Sequence, residues 1–267
     1  MADGSPLRVD RPGGAARDLS LPGNAAIDWE LFDTKDYFDH NYSTLRDDDR
    51  QIIEMVTDFF ASECPQLHRA RAIDVGTGAN LYPALAMLPF AAEVTLYERA
   101  ASNSKWLREE LRSPSASWQS FWDAMATGPP AYRTVARPFE VLHHRTAVVE
   151  GNISDLEPAS YDLGTMFFVA ESITPSVSEF VKATTAFVES LRHRALFGAA
   201  FMRDSSGYEV GGRRFPSCSV EEDDVTACLL PIAHDLSVRV VESKDLREGY
   251  DGMIVATGRA GRRREAP

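Results

Sequence analysis

The sequence predicts an α/β fold with a doubly wound, Rossmann-like sheet, and three features in succession support this prediction. Residues 72–75 form a short apolar strand that runs into an acidic, glycine-rich turn at residues 74–78, which we call the glycine turn. Residues 80–88 have the apolar pattern of a helix, and residues 94–97 that of a second strand, which ends at Glu98. This order of strand, glycine turn, helix, strand and acid is typical of the nucleotide-binding half of such a sheet.

The glycine turn and the acid each suit a ligand that contains a nucleoside. Gly76 and Gly78 carry no Cβ, so the turn can be tight and a ligand can lie against the backbone. The start of the following helix offers unpaired N–H groups, which favour an anionic group. Glu98 follows the glycines by about twenty residues, a position from which a carboxylate can accept hydrogen bonds from both hydroxyls of a ribose.

The glycine pattern favours S-adenosylmethionine over NAD as the ligand. The dinucleotide fingerprint Gly-x-Gly-x-x-Gly is incomplete, because Leu81 stands where the third glycine belongs. Asp74 puts an acid inside the turn, which suits a cofactor that has no pyrophosphate but has a charged amino-acid end. A glycine turn that binds no ligand is the structural alternative.

The glycine turn and its neighbours resemble a known enzyme family. Residues 74–82 read Asp-Val-Gly-Thr-Gly-Ala-Asn-Leu-Tyr and are similar to Asp-Ile-Gly-Ser-Gly-Pro-Thr-Ile-Tyr in the family of nicotinamide, phenylethanolamine and indolethylamine (thioether) N-methyltransferases. That family also has an acid after strand two and an Asn five residues later, like Glu98 and Asn103. Residues 32–42 resemble its Phe-x-Pro-x-x-Tyr-Leu-x-x-Tyr-Tyr segment, which caps the cofactor. Residues 118–121 are placed like its Trp-containing segment.

The resemblance covers residues 28–259 and implies a class I S-adenosylmethionine-dependent methyltransferase of a bacterial type. It implies a sheet of seven mostly parallel strands with an antiparallel last strand, an N-terminal helical cap and a β-hairpin insertion. The domain prediction is a flexible arm at residues 1–26, the cap at 27–62, the S-adenosylmethionine-binding domain at 63–259 and a tail at 260–267.

The remaining elements follow from apolar spacing and turn residues. Gly211 and Gly212 predict the turn of the hairpin, and Ser219 followed by acidic residues predicts the N-cap of a helix that runs to residue 232. The other predicted elements are cap helix 46–61, a helix from residue 103 to residue 111, a Trp-rich insertion at 113–131, a helical segment at 132–142, helix 176–190, and strands 145–149, 161–169, 195–202, 237–241 and 253–257.

The candidate site residues come from the turn chemistry and from the resemblance together. Cofactor contacts are predicted at Tyr37, Tyr42, Asp74, Gly76, Thr77, Gly78, Tyr82, Glu98, Arg99, Asn103, Asn152, Ile153 and Phe167. Contacts with the methyl acceptor are predicted at Phe168, Phe201, Ser205, Tyr208 and Phe215. Tyr37 and Glu171 are the candidate catalytic residues. Glu171 is expected to orient or deprotonate the acceptor, and a surface position is its alternative.

Two departures from the family bear on the ligands. Phe201 stands where amine and pyridine methylators commonly have an acid, so a flat or apolar small molecule is the predicted acceptor. Methylation of a nitrogen in an amine or aromatic heterocycle is expected, and methylation of a ring carbon in an indole- or alkaloid-like secondary metabolite is the alternative. Asn152 and Ile153 stand where the family has Asp-Val to hold the adenine. The amide oxygen of Asn152 can accept from the exocyclic amine, and Asp155 is the alternative acceptor. An ordinary turn residue is the structural alternative for Asn152.

Composition excludes several classes of partner. At 267 residues the chain can bury one sizeable core, and its net charge of −12 argues against a nucleic-acid partner. We see no apolar run of membrane-spanning length and no signal peptide, and three cysteines without a Cys-x-x-Cys motif suggest a reduced, cytoplasmic protein. The six histidines are scattered, so no metal site is expected. A monomer or homodimer is expected.

Two rival functions share some of these features. A nicotinamide-dependent oxidoreductase would use the same strand and ribose acid, but the third glycine and a Tyr-x-x-x-Lys pair are missing. A catalytically inactive methyltransferase-like binding protein would keep the fold and lose cofactor residues, whereas Tyr37, Tyr82, Glu98 and Asn103 are all retained.

Overall fold

A seven-stranded sheet forms the centre of the fold in the computed structural model, which describes residues 23–64, 68–241 and 250–261. Its strands are β1 (Ala70–Val75), β2 (Ala91–Glu98), β3 (Thr146–Glu150), β4 (Tyr161–Phe167), β5 (Leu191–Met202), β8 (Ala233–Val241) and β9 (Met253–Ala260); the separate hairpin consists of β6 (Tyr208–Val210) and β7 (Arg213–Phe215). The spatial order is β3-β2-β1-β4-β5-β9-β8. Strand β9 runs antiparallel to both of its neighbours, and the other pairs are parallel. The predicted mostly parallel sheet with an antiparallel last strand is confirmed.

Helices cover both faces of this sheet, as expected for parallel strands that are buried on both sides. They are α1 (Thr34–Asn41), α2 (Asp47–Glu63), α3 (Tyr82–Met87), α4 (Ala101–Arg112), α5 (Trp118–Thr127), α6 (Pro130–Arg133), α7 (Pro138–Arg145), α8 (Val177–Ser190) and α9 (Glu222–Leu229).

Strand residues alternate between two apolar cores, because successive side chains of a strand point to opposite faces of the sheet. On β1, Ala72 packs in the core that contains α2, α3 and α5, whereas Ile73 packs in the core that contains α8 and α9. On β5, Ala200 and Met202 belong to the first core and Phe201 to the second. The position of a residue along its strand therefore decides which of the two cores its side chain enters.

The predicted hairpin is confirmed. Its turn lies at Gly211 and Gly212, whose φ angles of +56° and +70° are the left-handed values that a two-residue hairpin turn requires. The N–H of Gly211 donates to Oδ2 of Asp36 at 2.8 Å, so the tip of the hairpin is bonded to α1.

Residues 113–145 are more helical than the sequence predicts. Helices α5 and α6 occupy most of the predicted insertion, and the single helical segment predicted at 132–142 is wrong. The chain breaks at Arg137, which has φ +53°, and a new helix starts with Pro138 in its first position. Proline suits that position because its missing N–H would have no partner there.

The predicted N-cap at Ser219 is also wrong. Helix α9 begins at Glu222, and its cap is Glu221, which exchanges two hydrogen bonds with Asp224. The hydroxyl of Ser219 instead donates to Asp204 at 2.9 Å. Ser219 therefore connects the segment before α9 to the chain that follows β5, and its hydroxyl does not cap the helix.

The predicted cap consists of α1 and α2, but α2 also belongs to the sheet layer. Its apolar face, which includes Ile52, Val56 and Phe60, is fully buried against β5, β8 and β9. The predicted domain boundaries stay a prediction. Residues 1–22 of the arm and 262–267 of the tail lie outside the described residues.

Candidate active site

A cleft opens at the carboxyl ends of β1, β2 and β4, which is where open α/β sheets bind ligands. It contains about 790 Å³ of empty space, part of it continuous with solvent. The predicted site residues that line it are Tyr37, Tyr42, Gly76, Thr77, Gly78, Glu98, Arg99, Asn103, Asn152, Ile153, Phe167, Phe168 and Tyr208. The fold therefore brings together residues that are far apart in the sequence.

The glycine turn is shaped by a close approach from the chain that follows β4. Gly76 has φ +67°, and a Cβ placed on it would lie 2.6 Å and 2.7 Å from the two methyl groups of Val169. Its N–H donates to the carbonyl of Tyr97 at 2.7 Å, which ties the turn to β2. Position 76 therefore requires glycine for two independent reasons, backbone conformation and space.

Glu98 is held rigidly at the end of β2. Its carboxylate accepts hydrogen bonds from the main-chain N–H groups of Gly78 at 2.8 Å, Arg99 at 2.8 Å and Ala100 at 3.0 Å. Burial raises the pKa of Glu98, and these bonds, together with one from the Asn103 side chain, oppose the shift. Oε1 accepts two of the main-chain bonds and Oε2 accepts one, so these three bonds leave one of the carboxylate's about four lone-pair sites for the Asn103 side chain or for a ligand hydroxyl.

Asp74 and Tyr82 support the cleft from behind and do not line it. Asp74 is 1% exposed and accepts a hydrogen bond from the hydroxyl of Thr165 at 2.7 Å. Burial raises the pKa of Asp74 to about 7. The ring of Tyr82 stacks on Phe121 with centroids 5.5 Å apart. Direct cofactor contacts at these two residues stay a prediction.

The covering segment, which we define as residues 23–42, closes one side of the cleft. The guanidinium of Arg99 donates to the side chain of Asn24 and, at 2.9 Å, to the main-chain carbonyl of Asn24. The N–H of Asn24 donates to Glu179 at 3.1 Å. The carboxylate of Glu30 accepts from the first N–H groups of α4, and the hydroxyl of Thr34 donates to Asn103. The segment is thus bonded to elements on both rims.

A second cavity, which we call the outer cavity, adjoins the cleft beneath the hairpin and contains about 1020 Å³ of empty space, part of it continuous with solvent. Tyr37 and Tyr208 line both, with ring centroids 6.3 Å apart and planes inclined at 65°. The other residues of the outer cavity are Asp36, His40, Asn41, Met202, Ser205, Gly207, Glu209 and Tyr250. Two tyrosine rings therefore separate the cleft from a space large enough for a second small molecule.

Phe201 does not face either cavity, which corrects its predicted contact with the acceptor. Its ring packs against Phe180 in the core beneath α8, at 5.7 Å between centroids. The neighbouring Met202 lines the outer cavity. Because strand residues alternate between faces, the residue next to the predicted one occupies the functional side of β5.

Phe215 is a supporting residue of the hairpin. Its ring stacks on Trp29 and on Tyr208, each at 5.6 Å between centroids, and it lines neither cavity. It holds Tyr208 against the covering segment. The predicted direct contact of Phe215 with the acceptor is therefore replaced by a packing role.

Glu171 is buried completely, so its surface alternative is wrong, and it lines neither cavity. Its Oε1 accepts from the N–H of Met202 at 3.0 Å and from the hydroxyl of Ser172 at 3.1 Å. Its carbonyl accepts from the N–H of Cys218 at 2.6 Å. Glu171 thus joins the end of β5 to the chain that follows the hairpin.

The ionisation of Glu171 has a measurable consequence. Burial raises the pKa of this carboxyl from 4.5 to about 7, which corresponds to about 3 kcal/mol of stability that is present below pH 4.5 and lost as the pH rises past 7. We expect Glu171→Gln to reduce the fall in melting temperature between about pH 5.5 and about pH 8, values chosen to bracket the shifted pKa. Melting curves at a series of pH values test this, and an unchanged pH dependence would contradict it.

Asn152 and Ile153 line the end of the cleft beyond β3. The Oδ1 of Asn152 accepts from the N–H of Ser154 at 3.3 Å, so the amide oxygen that is expected to meet the adenine has a protein partner. The Tyr97 hydroxyl donates to the carbonyl of Asn152 at 3.1 Å and lies where a Cβ on Gly151 would be. The alternative, Asp155, does not line the cleft.

Sequence reasoning missed several residues that line the cleft: Asn24, Trp29, Phe32, Val75, Ala79, Asn80, Tyr97, Gly151, Val169, Ser172 and Ile173. Most of them adjoin a predicted site residue in the chain, so the carboxyl-terminal position of their strands was the signal that could have found them. Asn24 and Trp29 carry no such signal, because their placement depends on how the covering segment folds back.

Two properties of the described part of the chain bear on its surroundings. No group of three or more His, Cys, Asp or Glu side chains there is placed to hold a metal ion. None of the helices in the same residues is both long and apolar enough to cross a bilayer.

Solved structures share this fold at low sequence identity. A S-adenosylmethionine-dependent methyltransferase from Clostridium acetobutylicum ATCC 824 matches with a TM-score of 0.51 and 12% identity, over 85% of this chain and 99% of its own. The N-methyltransferase NodS from Bradyrhizobium japonicum WM9, in complex with S-adenosyl-L-homocysteine, matches with a TM-score of 0.50 and 10% identity, over 86% of this chain and 94% of its own. The [4+2]-cyclase SpnF matches with a TM-score of 0.50 and 15% identity, over 77% of this chain and 80% of its own. These likenesses show the fold, and the cyclase among them indicates that the fold alone does not define the reaction.

The family is shown by sequence. No curated protein sequence matches the chain significantly. The sequence model of the NNMT/PNMT/TEMT family matches residues 25–257, which is most of the 267 residues. With its sheet order and with the cleft at the carboxyl ends of the first strands, the chain belongs to the NNMT/PNMT/TEMT family of methyltransferases.

Proposed function

We propose that this protein transfers a methyl group from S-adenosylmethionine to a nitrogen of a small-molecule amine or aromatic heterocycle. The observation that carries the proposal is the pair of adjoining cavities, of which one contains the glycine turn and Glu98 and the other is separated from it by Tyr37 and Tyr208. One cavity suits a nucleoside cofactor, and its neighbour suits an acceptor.

The residues of the cleft fit the cofactor. Gly78 lines the cleft, and a Cβ there would have only the carbonyl oxygen of Gly76 within 4 Å, at 3.8 Å, so a ligand can approach the turn on this side. The buried carboxylate of Glu98 is fixed where it can accept from ribose hydroxyls. When bound, S-adenosylmethionine supplies an activated methyl group on a sulfonium. The protein has to align the acceptor with that group and exclude water.

Tyr37 and Tyr208 have the position for this alignment. Burial raises the pKa of the Tyr208 hydroxyl well above its usual value, so Tyr208 stays protonated and neutral. That hydroxyl donates to the carbonyl of Ser172 at 3.2 Å, which fixes the ring. Two fixed aromatic rings exclude water from the junction of the cavities and present apolar faces that favour a cationic sulfonium.

The outer cavity has the features of an acceptor site. Its buried lining includes Asn41, Met202, Ser205 and Tyr250, which offer hydrogen-bonding groups beside apolar surface. A nitrogen acceptor has to be neutral to attack, so an aromatic heterocycle or an amine that has lost its proton is the expected substrate. Glu171 acts in this scheme by positioning the chain around Tyr208 and Met202.

Calorimetry tests the cofactor assignment. We expect S-adenosylhomocysteine to bind with a Kd on the order of micromolar and NAD not to bind, because the cleft has no third glycine for a pyrophosphate. Binding of NAD alone would favour the oxidoreductase.

A methyl-transfer assay tests the reaction. Amines, pyridines and indoles are incubated with a labelled methyl donor, and NMR identifies the methylated atom. Labelling of a ring carbon would favour the alternative acceptor class. Cofactor binding without transfer to any of these compounds would favour an inactive binding protein.

A further inference from the structure

Asn80 lies where the glycine turn meets α3 and is 5% exposed, although it lines the cleft. Its N–H donates to the carbonyl of Thr77 at 3.0 Å, and its Oδ1 accepts from the N–H of Tyr82 at 3.1 Å. The first bond holds the main chain, and the second holds the side chain. The second bond also defines the two ends of the amide group, because the atom that accepts from an N–H is the oxygen.

The other end of that amide is unsatisfied. Nδ2 of Asn80 is buried and has no hydrogen-bond acceptor among the residues that the structure describes. A buried donor without a partner costs about 1–3 kcal/mol, so such a group calls for an explanation. The carboxylate in the turn, Asp74, accepts from Thr165 through Oδ1, and its Oδ2 is also buried and does not bond the Asn80 amide. Since no group in the described part of the chain takes the Asn80 donor, the remaining candidate is a ligand in the cleft.

We propose that Nδ2 of Asn80 donates a hydrogen bond to the carboxylate of the amino-acid end of the cofactor. This proposal rests on the proposed function. The ribose hydroxyls of the cofactor are expected at Glu98, and its adenine is expected near Asn152. Its ammonium is a donor and cannot accept from the Asn80 amide. Its carboxylate is the strong acceptor that remains, and a bond to a charged acceptor is stronger than a neutral one.

The amide is a feature of this chain and not of the family segment with which it aligns. That segment has Thr where this sequence has Asn80, as the two motifs Gly-Pro-Thr and Gly-Ala-Asn show. A threonine hydroxyl offers one donor on a short side chain, whereas the amide offers two donors on a longer one. Asn80 therefore gives this protein a contact that reaches farther into the cleft.

Two substitutions and two ligands test the proposal by calorimetry. Asn80→Ser keeps an oxygen that can accept from the N–H of Tyr82 but removes the amide donors. Asn80→Asp keeps the shape and replaces the donors by a negative oxygen. The ligands are S-adenosylhomocysteine and its decarboxylated form, which lacks the carboxylate and keeps the ammonium, the ribose and the adenine.

We expect Asn80→Ser to weaken S-adenosylhomocysteine binding about tenfold and Asn80→Asp to weaken it on the order of 30-fold or more. Binding of the decarboxylated ligand should change less than about threefold in Asn80→Ser. Equal weakening of both ligands, unchanged binding of S-adenosylhomocysteine, or tighter binding of it by Asn80→Asp would overturn the proposal. If Asn80→Asp does not fold, Asn80→Ser decides the question. Failure of the unaltered protein to bind S-adenosylhomocysteine would instead contradict the cofactor assignment itself.

Discussion

Replacing Glu98 by Ala is expected to weaken the binding of S-adenosylhomocysteine by about 100-fold. The carboxylate is buried at the end of β2 and is held by three main-chain N–H groups, so it is oriented before a ligand arrives. A hydrogen bond to a charged group contributes about 1.5–3 kcal/mol, and the loss of one such bond from a ribose hydroxyl corresponds at its upper end to about 100-fold in affinity. Calorimetry of the purified variant measures the loss.

A matched control is available on the neighbouring strand. Glu150 pairs in register with Glu98 at the end of β3, but its side chain is exposed and forms an ion pair with Arg108 at 3.1 Å. Glu150→Ala should leave binding unchanged. Because Glu98→Ala also frees three main-chain N–H groups, its melting temperature should fall. Binding is therefore measured at a temperature at which circular dichroism shows the variant folded. Unchanged affinity in folded Glu98→Ala would remove the ribose role.

Gly76→Ala is expected to abolish cofactor binding and to destabilise the fold. The new Cβ would lie 2.6 Å from a methyl group of Val169, and φ at this position is +67°. A left-handed non-glycine residue costs about 1–2 kcal/mol, and overpacking of a rigid β-branched neighbour adds about 1–3 kcal/mol. The turn has to move, and the ligand cradle moves with it. Thermal melting and calorimetry together measure both effects.

Two further variants separate strain from steric clash. Gly212 has φ +70°, and a Cβ added there would meet nothing within 4 Å, so Gly212→Ala carries the backbone cost alone. It should destabilise the protein less than Gly76→Ala does. Val169→Ala removes the two clashing methyl groups and should restore part of the binding when combined with Gly76→Ala. If the double variant binds the cofactor no better than Gly76→Ala alone, the clash with Val169 is not the cause of the lost binding.

The sequence was sufficient for those parts of the fold that depend on local chemistry. Glycines and an acid in the order found at residues 74–98 require a strand, a turn and a second strand, and this half of the sheet is confirmed. Gly211 and Gly212 were enough for the hairpin, because few other residues adopt two successive left-handed conformations. In both cases the backbone conformation itself restricts the residue type.

The outer cavity was beyond reach for a geometric reason. Its lining comes from α1, the end of β5, the hairpin and the chain before β9, and no single segment contains a recognisable pattern. The error at Phe201 shows that the prediction of a lining residue has to be accurate to one position, because the next residue, Met202, lies on the other face of the strand. Alignment to a motif locates a strand end to within about one residue, whereas the two faces alternate at every residue.

The covering segment bears on the rate at which this protein can turn over. Asn24, Glu30 and Thr34 connect it to Arg99, to the start of α4 and to Asn103, all beside the place where a nucleoside is expected. A spent cofactor can dissociate on that side only after these bonds break, and several weak bonds that must open together form a substantial kinetic barrier. We therefore expect release of the demethylated cofactor, and not the chemical step, to limit the rate of turnover.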